Sequence, residues 1–368
     1  MTLNSTQDLT YQNDLSEPLL VKDQLNEISQ KPRTYETSRV AQLFKKYYLY
    51  AAIFIGLCYG LFNYVIFIAV NGVMELRTIY LITVINFMFF IIYHLICAIQ
   101  LKIQKGSFWK LEDSAYYDQK GRFDLKLGSI VIIRSCFQLL SQFILYYILQ
   151  TSIMSGINAS IVFSIYAATS VMVAIAFYLL FKESLGLKHI IGIVLVMVSV
   201  ILIANGKYAP AEDVAVRLGI NEENRISVFI PIALALANCC IFVMSSVMAR
   251  LIRTTKISTL QYTTDSQALV STVLTSMAIY EHFYVKPYAF YEFSLVSICS
   301  LLYLMGAVVF TGAVTYGKGG TTQAIMQIQA PFQLALEIIF LSIYPQFLGF
   351  LGMVVCIVGA LIIILGKH

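Results

Sequence analysis

Five carboxamide and carboxylate side chains recur within the apolar run of residues 320–343. They are Gln323, Gln327, Gln329, Gln333 and Glu337. At 100° per residue of a helix, all five fall within an arc of about 160°. A single glutamine in an apolar helix most often hydrogen-bonds a neighbouring helix, a contact worth about 1 kcal/mol. Five on one face exceed what such pairing needs, so they predict a surface that binds water or a polar ligand.

A second polar face is predicted on the run of residues 127–149. It consists of Arg134, Gln138, Ser141 and Gln142, at i, i+4, i+7 and i+8. Because an ionised side chain in hydrocarbon costs at least a few kcal/mol, a residue that tolerates this position is expected to face the protein interior or a wet cavity. Arg134 also lies near the start of its run, from where a long side chain can reach the lipid headgroups. Both orientations fit the sequence.

Two further runs contribute candidate polar residues. Gly56, Tyr59, Gly60 and Asn63 share one helical face, and the GxxxG spacing is typical of close helix packing. Tyr166 belongs to a run with several hydroxyl side chains, which can simply bond the preceding carbonyls. The candidate substrate-binding residues are Asn63, Arg134, Gln138, Gln142, Tyr166, Gln323, Gln327, Gln329, Gln333 and Glu337.

Pro331 interrupts the backbone hydrogen bonding of the run at 320–343. Proline lacks the N–H group that would bond the carbonyl four residues earlier. In a membrane such a freed carbonyl must be satisfied by a neighbouring helix or by a bound molecule.

The composition places these runs in a membrane protein. Of the 368 residues, 59% are apolar by the AVILMFWYC count and only 12% are charged, with a mean hydropathy of +0.77. This is enough apolar sequence for about ten crossings of roughly 20 residues each, and it excludes an ordinary soluble domain. The seven cysteines show no CxxC spacing and the four histidines are scattered, so no metal site, cofactor or catalytic residue is predicted.

Ten apolar runs follow a polar segment that is predicted to be a disordered cytoplasmic tail, residues 1–46. The runs are 47–70, 78–101, 127–149, 157–181, 187–204, 226–249, 261–280, 293–316, 320–343 and 347–366. The seventh begins with a polar stretch, so nine spans are the alternative. With ten spans and a cytoplasmic N-terminus, 19 Lys and Arg residues lie inside and five outside, as the positive-inside rule favours. Both termini are then cytoplasmic, in either the plasma membrane or an endomembrane.

An internal repeat relates the two halves of the chain. An offset of 160 residues pairs Gly192 with Gly352, Gly206 with Gly366 and Lys207 with Lys367. The predicted domains are two five-helix units, 47–206 and 226–368. Since five is odd, the second unit enters the membrane from the opposite side, which gives an all-α fold of ten transmembrane helices in two inverted repeats.

The ends of the two units resemble EamA-type repeats. Phe181-Lys182-Glu183-Ser184-Leu185 is followed by Gly192 and an apolar run to Ala204, and Ala330-Pro331-Phe332 is followed by Gly352. The chain is therefore similar to the drug/metabolite transporter superfamily and its solute carrier family 35 relatives over residues 47–366. Ile343 and Val171 stand where the pattern has Glu183 and Pro331 in the other unit. The resemblance implies a central cavity lined by the third and ninth spans.

These observations predict a secondary transporter of a small polar organic solute that works by alternating access. No Walker motif is present, so ATP is not the expected energy source. Glu337 is the one acid deep enough in a span for its protonation to be coupled to transport, and exchange of one solute for another is the equal alternative. The expected partners are the solute and the lipid bilayer, with no nucleic acid. The final helix of each unit fits either internal packing or a homodimer contact. The alternatives are an integral-membrane enzyme of lipid or prenyl substrates and a membrane scaffold.

Overall fold

The protein is all-α. A computed structural model describes residues 39–70, 76–109, 114–117, 120–155, 165–183, 186–205, 226–227, 229–341 and 347–365. Within these ranges the chain forms α-helices and no β-strand, apart from one isolated bridge between Tyr117 and Phe123. The predicted fold class is confirmed at this level.

Twelve α-helices account for most of the described residues. They are α1 (Arg39–Val70), α2 (Leu76–Leu81), α3 (Val84–Lys105), α4 (Leu125–Met154), α5 (Ala168–Phe181), α6 (Leu187–Asn205), α7 (Phe229–Leu251), α8 (Thr259–Tyr280), α9 (Phe290–Tyr316), α10 (Gly319–Met326), α11 (Gln329–Leu341) and α12 (Phe347–Leu365). A 3₁₀ turn, Ile165–Ala167, leads directly into α5.

Five helical segments in the described part of the chain are long and apolar enough to cross a membrane. They are Arg39–Ile66, Arg77–Lys105, Leu125–Ser152, Phe229–Thr254 and Phe290–Tyr316. Three shorter apolar helices lie within α5, α6 and α12. These lengths and compositions fit a membrane protein.

The first helix begins earlier than the sequence predicted. Helix α1 starts at Arg39, so residues 39–46, predicted as part of the disordered tail, are helical, and residues 1–38 lie outside the described ones. The backbone leaves helical values at Tyr47, with φ −115° and ψ 18°, close to the predicted start of the apolar run. Packing explains the extra turns, because Ala41 is buried and Phe44 packs against the core beside Gly312. Local polarity gave no sign of this contact.

The helices pack in a defined set of pairs. The most extensive contacts join α6 to α12 and α1 to α9. Contacts also join α4 to α7, α3 to α8 and α5 to α10. Further contacts join α1 to both α10 and α11, α7 to α5, α8 to α4, and α9 to both α2 and α3.

Helices α6 and α12 approach closely at two glycines. A Cβ atom on Gly192 would lie 2.8 Å from the carbonyl oxygen of Gly359, and one on Gly359 would lie 3.0 Å from the carbonyl oxygen of Gly192. Neither backbone oxygen can move away by a change of rotamer. The two final helices therefore pack against each other within one chain, which is one of the two arrangements that the sequence left open.

Replacing Gly192 by leucine is expected to force α6 and α12 apart. Overpacking of this kind typically costs about 1–3 kcal/mol. The measurement is the midpoint of thermal unfolding of the detergent-solubilised protein. Val194→Leu is the control, because Val194 lies on the same helix with 54% of its surface exposed and has room for the added carbon. Equal midpoints for the two variants would contradict the close approach.

Candidate functional site

A cavity of about 110 Å³ lies among α1, α4, α5, α7, α9, α10 and α11. One ordered water needs roughly 10–15 Å³ of such volume, so the cavity has room for several waters or a small organic molecule. Tyr303, Ala307 and Phe310 form its wall on α9, near the middle of that helix. The cavity therefore lies halfway along the bundle.

Most of the predicted binding residues line this cavity. Wall residues among them are Asn63, Arg134, Gln138, Gln142, Tyr166, Gln323, Gln327 and Gln329. Gln333 is buried on α11 but is not among the wall residues. Glu337 stands further along α11, and its side chain lies outside the described residues. The polar faces predicted on two different runs thus meet at one place.

The run of residues 320–343 is broken into two helices where the sequence predicted one continuous face. Helix α10 ends at Met326 and α11 begins at Gln329. Pro331 cannot bond the carbonyl of Gln327, which instead accepts the N–H of Ala330 at 3.2 Å and lies 3.9 Å from the Sγ atom of Cys356 on α12. A neighbouring helix thus helps to satisfy the freed carbonyl. The break interrupts the unbroken helix that the predicted arc assumed, and three of its five residues, Gln323, Gln327 and Gln329, are among the described wall residues.

Two of the wall glutamines form hydrogen bonds that link α11 to the segment before α5. The Nε2 atom of Gln329 donates to Oε1 of Gln327 at 3.3 Å, and Nε2 of Gln327 donates to the backbone oxygen of Tyr166 at 3.3 Å. These bonds tie the break between α10 and α11 to the turn before α5. The Oε1 atom of Gln323 is buried without a hydrogen-bond partner in the described structure. Gln323 is therefore the glutamine of α10 with an acceptor left for a ligand.

Arg134 points into the bundle rather than toward the headgroups. Only 2% of its surface is exposed. Its Nη2 atom donates to Oγ1 of Thr311 at 2.9 Å, and its guanidinium carbon lies 4.6 Å from the ring centroid of Tyr262. Its Nε and Nη1 atoms have no hydrogen-bond partner among the described residues. Of the two orientations that the sequence allowed, the structure has the inward one.

The sequence analysis missed wall residues on α7 and α9. Asn238 donates from Nδ2 to the hydroxyl oxygen of Tyr166 at 2.8 Å, and Ser245 lies on the same helix. Tyr303 on α9 accepts from Nε2 of Gln267 at 3.4 Å. Asn238 is the only asparagine in the apolar run 226–249, and that isolated polar side chain was the available signal.

Arg134 is the one basic residue among the described residues of the cavity wall. The remaining wall residues carry amide, hydroxyl, thioether, aromatic and aliphatic groups, and none of them is Asp or Glu. A wall of this kind has a net positive charge and many hydrogen-bonding atoms. These groups can hold a polar molecule through hydrogen bonds and through the charge of Arg134.

A buried ion pair lies beyond one end of the cavity, where α5, α7 and α10 meet. Nη2 of Arg250 is 3.3 Å from Oε1 of Glu183, and Oε2 of Glu183 accepts the N–H of Gly319 at 3.1 Å. Nη1 of Arg250 also donates to backbone oxygens that follow the α9 wall, those of Val314, Thr315 and Gly317. Burial raises the pKa of the Glu183 carboxyl, and the Arg250 charge acts against that rise.

A second ion pair lies at the opposite end of α9. Nη2 of Arg77 is 3.0 Å from Oε2 of Glu292. The Arg77 guanidinium also donates to the backbone oxygens of Lys286 and Pro287, and it lies over the ring of Tyr288. Glu292 is near the first residue of α9 and Val314 is near its last. The cavity therefore lies between two ion pairs at the two ends of one helix.

Comparison with known proteins defines a fold and no family. No family model and no curated protein matches the chain. A solved structure described only as "Crystal structure of protein" covers 86% of this chain and 99% of its own, with a TM-score of 0.56 and 13% sequence identity. At that identity the likeness shows a shared fold alone.

Proposed function

We propose that the protein is a secondary transporter that moves a small polar organic solute across a membrane by alternating access. The observation that carries this proposal is the polar cavity halfway along an otherwise apolar helical bundle. Burying amide and guanidinium groups at that depth is expensive unless they serve a ligand or a pathway. A scaffold would have no use for such a chamber.

The packing of the helices supports an inverted repeat. In a ten-span arrangement, α2 with α3 and α10 with α11 each form one broken span. An inverted repeat predicts that each contact between two spans has a counterpart between the spans five places away. The α1–α9 contact has its counterpart in α7–α4, and the α1–α10 contact has its counterpart in α7–α5. The α8–α4 contact has its counterpart in α3–α9. The contacts of α3 with α8, α5 with α10 and α6 with α12 remain the same under this exchange. Five-span units related in this way have opposite orientations.

The two ion pairs supply a physical basis for alternating access. If both termini are cytoplasmic, as the distribution of Lys and Arg favours, the Glu183–Arg250 pair is on the cytoplasmic side and the Arg77–Glu292 pair is on the other side. Separating one pair while the other holds would open the cavity to one side at a time. Membership of the drug/metabolite transporter superfamily is part of the same proposal and is consistent with this architecture.

A substitution that fills the cavity tests this proposal. Purified protein in liposomes is assayed for uptake of a library of small polar metabolites, and each solute that enters is then assayed with Ala307→Trp. Ala307 is a buried wall residue, so an indole there fills the space that a solute needs, and uptake is expected to fall to that of empty liposomes. Leu301→Trp is the control, because Leu301 lies on the same helix with 48% of its surface exposed.

Three results would contradict the proposal. The first is a folded wild-type protein that moves no solute of the library, as expected of a scaffold. The second is equal uptake by Ala307→Trp and Leu301→Trp when both elute as monodisperse protein. The third is chemical conversion of a solute by the purified protein without movement across the bilayer, which would favour an integral-membrane enzyme.

A further inference from the structure

Arg134 carries a buried positive charge without a counter-ion in the described structure. No described carboxylate lies within 4.0 Å of its guanidinium, whereas Arg77 and Arg250 each have one. Glu337 stands eight residues after Gln329 on α11, about 12 Å further along the helix axis at 1.5 Å per residue. A charge buried in this way is usually paired or serves a ligand.

The local contacts of Arg134 compensate for only part of this charge. The Thr311 hydroxyl accepts one N–H, and the Tyr262 ring attracts the guanidinium through its electron-rich face. An aromatic ring does not accept the remaining N–H groups as a carboxylate does. Nε and Nη1 have no acceptor among the residues that the structure describes. The ring also limits rotation of the guanidinium, so these donors are held in place before a ligand arrives.

From these contacts we infer that the cavity binds a small organic acid, with Arg134 receiving its carboxylate. The inference rests on the proposed transport function and names the class of solute. A guanidinium suits a carboxylate because its planar donors match two acceptor oxygens. The described part of the wall has no Asp or Glu to repel such an anion.

The unpartnered acceptors of the wall extend this description of the ligand. Oε1 of Gln138, Oε1 of Gln323 and Oδ1 of Asn238 are buried without hydrogen-bond partners in the described structure. A buried acceptor without a hydrogen bond destabilises the protein, and a ligand hydroxyl or amino group would supply the missing bond. The acid is therefore one that also carries hydroxyl or amino groups, as lactate and glycerate do.

The test compares each acid with its neutral amide. Purified protein in detergent is heated with sodium lactate or sodium glycerate, with lactamide or glyceramide, and with sodium chloride at the same ionic strength. A ligand that binds the folded state raises the midpoint of thermal unfolding in proportion to the logarithm of its concentration above the dissociation constant. We expect a rise with the acids and none with the amides or with chloride.

Variants of Arg134 test whether this residue binds the acid. Arg134→Gln is expected to abolish the rise, and Arg134→Lys to retain part of it, because lysine keeps the charge but not the planar donors. Lys188→Gln removes an equal charge from an exposed position on α6 and should leave the rise unchanged.

Several outcomes would overturn the inference. They are no rise with either acid, an equal rise with acid and amide, or an undiminished rise in Arg134→Gln. If Arg134→Gln fails to fold, the comparison of acid with amide in the wild type and the response of Arg134→Lys still decide the matter. Binding is measured here without transport. Uptake of a neutral solute with no response to acids would overturn the anion inference alone, and binding of acids without uptake would overturn the transport proposal alone.

Discussion

Replacing Arg250 by methionine is expected to destabilise the protein by about 3–5 kcal/mol, the usual cost of removing one partner from a buried ion pair. Arg250 and Glu183 each have about 10% of their side-chain surface exposed. Methionine fills most of the arginine volume, so the loss comes mainly from polar groups that lose the guanidinium as a partner. These are the Glu183 carboxylate and the backbone oxygens of Val314, Thr315 and Gly317.

The size of this defect is expected to depend on pH. Burial already raises the pKa of Glu183, and without the Arg250 charge that pKa rises further. A carboxyl whose pKa is higher in the folded state favours folding below its unfolded-state pKa, and this contribution is lost as the pH rises through the folded-state pKa. The variant should therefore be closer to the wild type at about pH 5 than at about pH 8.

Thermal unfolding midpoints of the detergent-solubilised protein across this pH range provide the measurement. Adding Glu183→Gln to Arg250→Met should recover part of the loss at high pH, because a neutral amide replaces the stranded carboxylate. Lys256→Met serves as the control, because it removes an equal charge from an exposed position at the same end of the bundle. A defect of equal size at both pH values would show that Glu183 does not carry it.

The Glu183–Arg250 pair illustrates what the sequence could not predict. In the sequence, Glu183 is part of a short turn pattern, and Arg250 is one of the positive charges that indicate topology. The two residues are 67 positions apart, and nothing in either local segment pairs them. The pairing follows from the packing of α5, α7 and α10, which only the folded chain establishes. Sequence patterns located the apolar helices but not the contacts between them.

The helices themselves were predictable because apolar runs are long and turn signals are short. The seventh run, which is the least apolar at its start, forms the single helix α8. The nine-span alternative does not count this helix as a membrane crossing. Ser258 caps α8 by accepting the N–H of Gln261 at 3.0 Å, and the polar side chains that made the run ambiguous, such as Thr263 and Gln267, are buried. Helix α8 is not among the segments apolar enough to cross a membrane, so its place as the seventh of ten crossings stays a prediction.

The cavity was predictable to the extent that polar residues follow helical periodicity. Regular spacing brought Arg134, Gln138 and Gln142 to one face, and all three line the cavity. The run of residues 320–343 differs from the predicted continuous helix, because Pro331 signals a break without indicating which way the chain turns there. That direction depends on the helix against which the break packs. Here it packs against the two glycines of α1.

Replacing Gly60 by leucine is expected to separate α1 from the break between α10 and α11. A Cβ atom on Gly60 would lie 2.8 Å from the backbone oxygen of Gln329, and one on Gly56 would lie 2.9 Å from the backbone oxygen of Met326. Since these are main-chain atoms, a rotamer change cannot relieve the contact. Overpacking should cost about 1–3 kcal/mol or more. The close packing predicted from the GxxxG spacing is thus confirmed, with the break as its partner.

This substitution should impair transport as well as stability. Gly60 adjoins Tyr59, and the break carries Gln327 and Gln329, so separating them displaces opposite walls of the cavity. We expect Gly60→Leu to lose uptake in liposomes even at temperatures where the variant remains folded, with Gly60→Ala intermediate in both unfolding midpoint and uptake. Leu57→Phe, which adds volume to an exposed position on the same helix, should retain both. Normal uptake by Gly60→Leu would mean that the cavity does not depend on this contact, because a leucine cannot occupy the site without moving one of the two main chains.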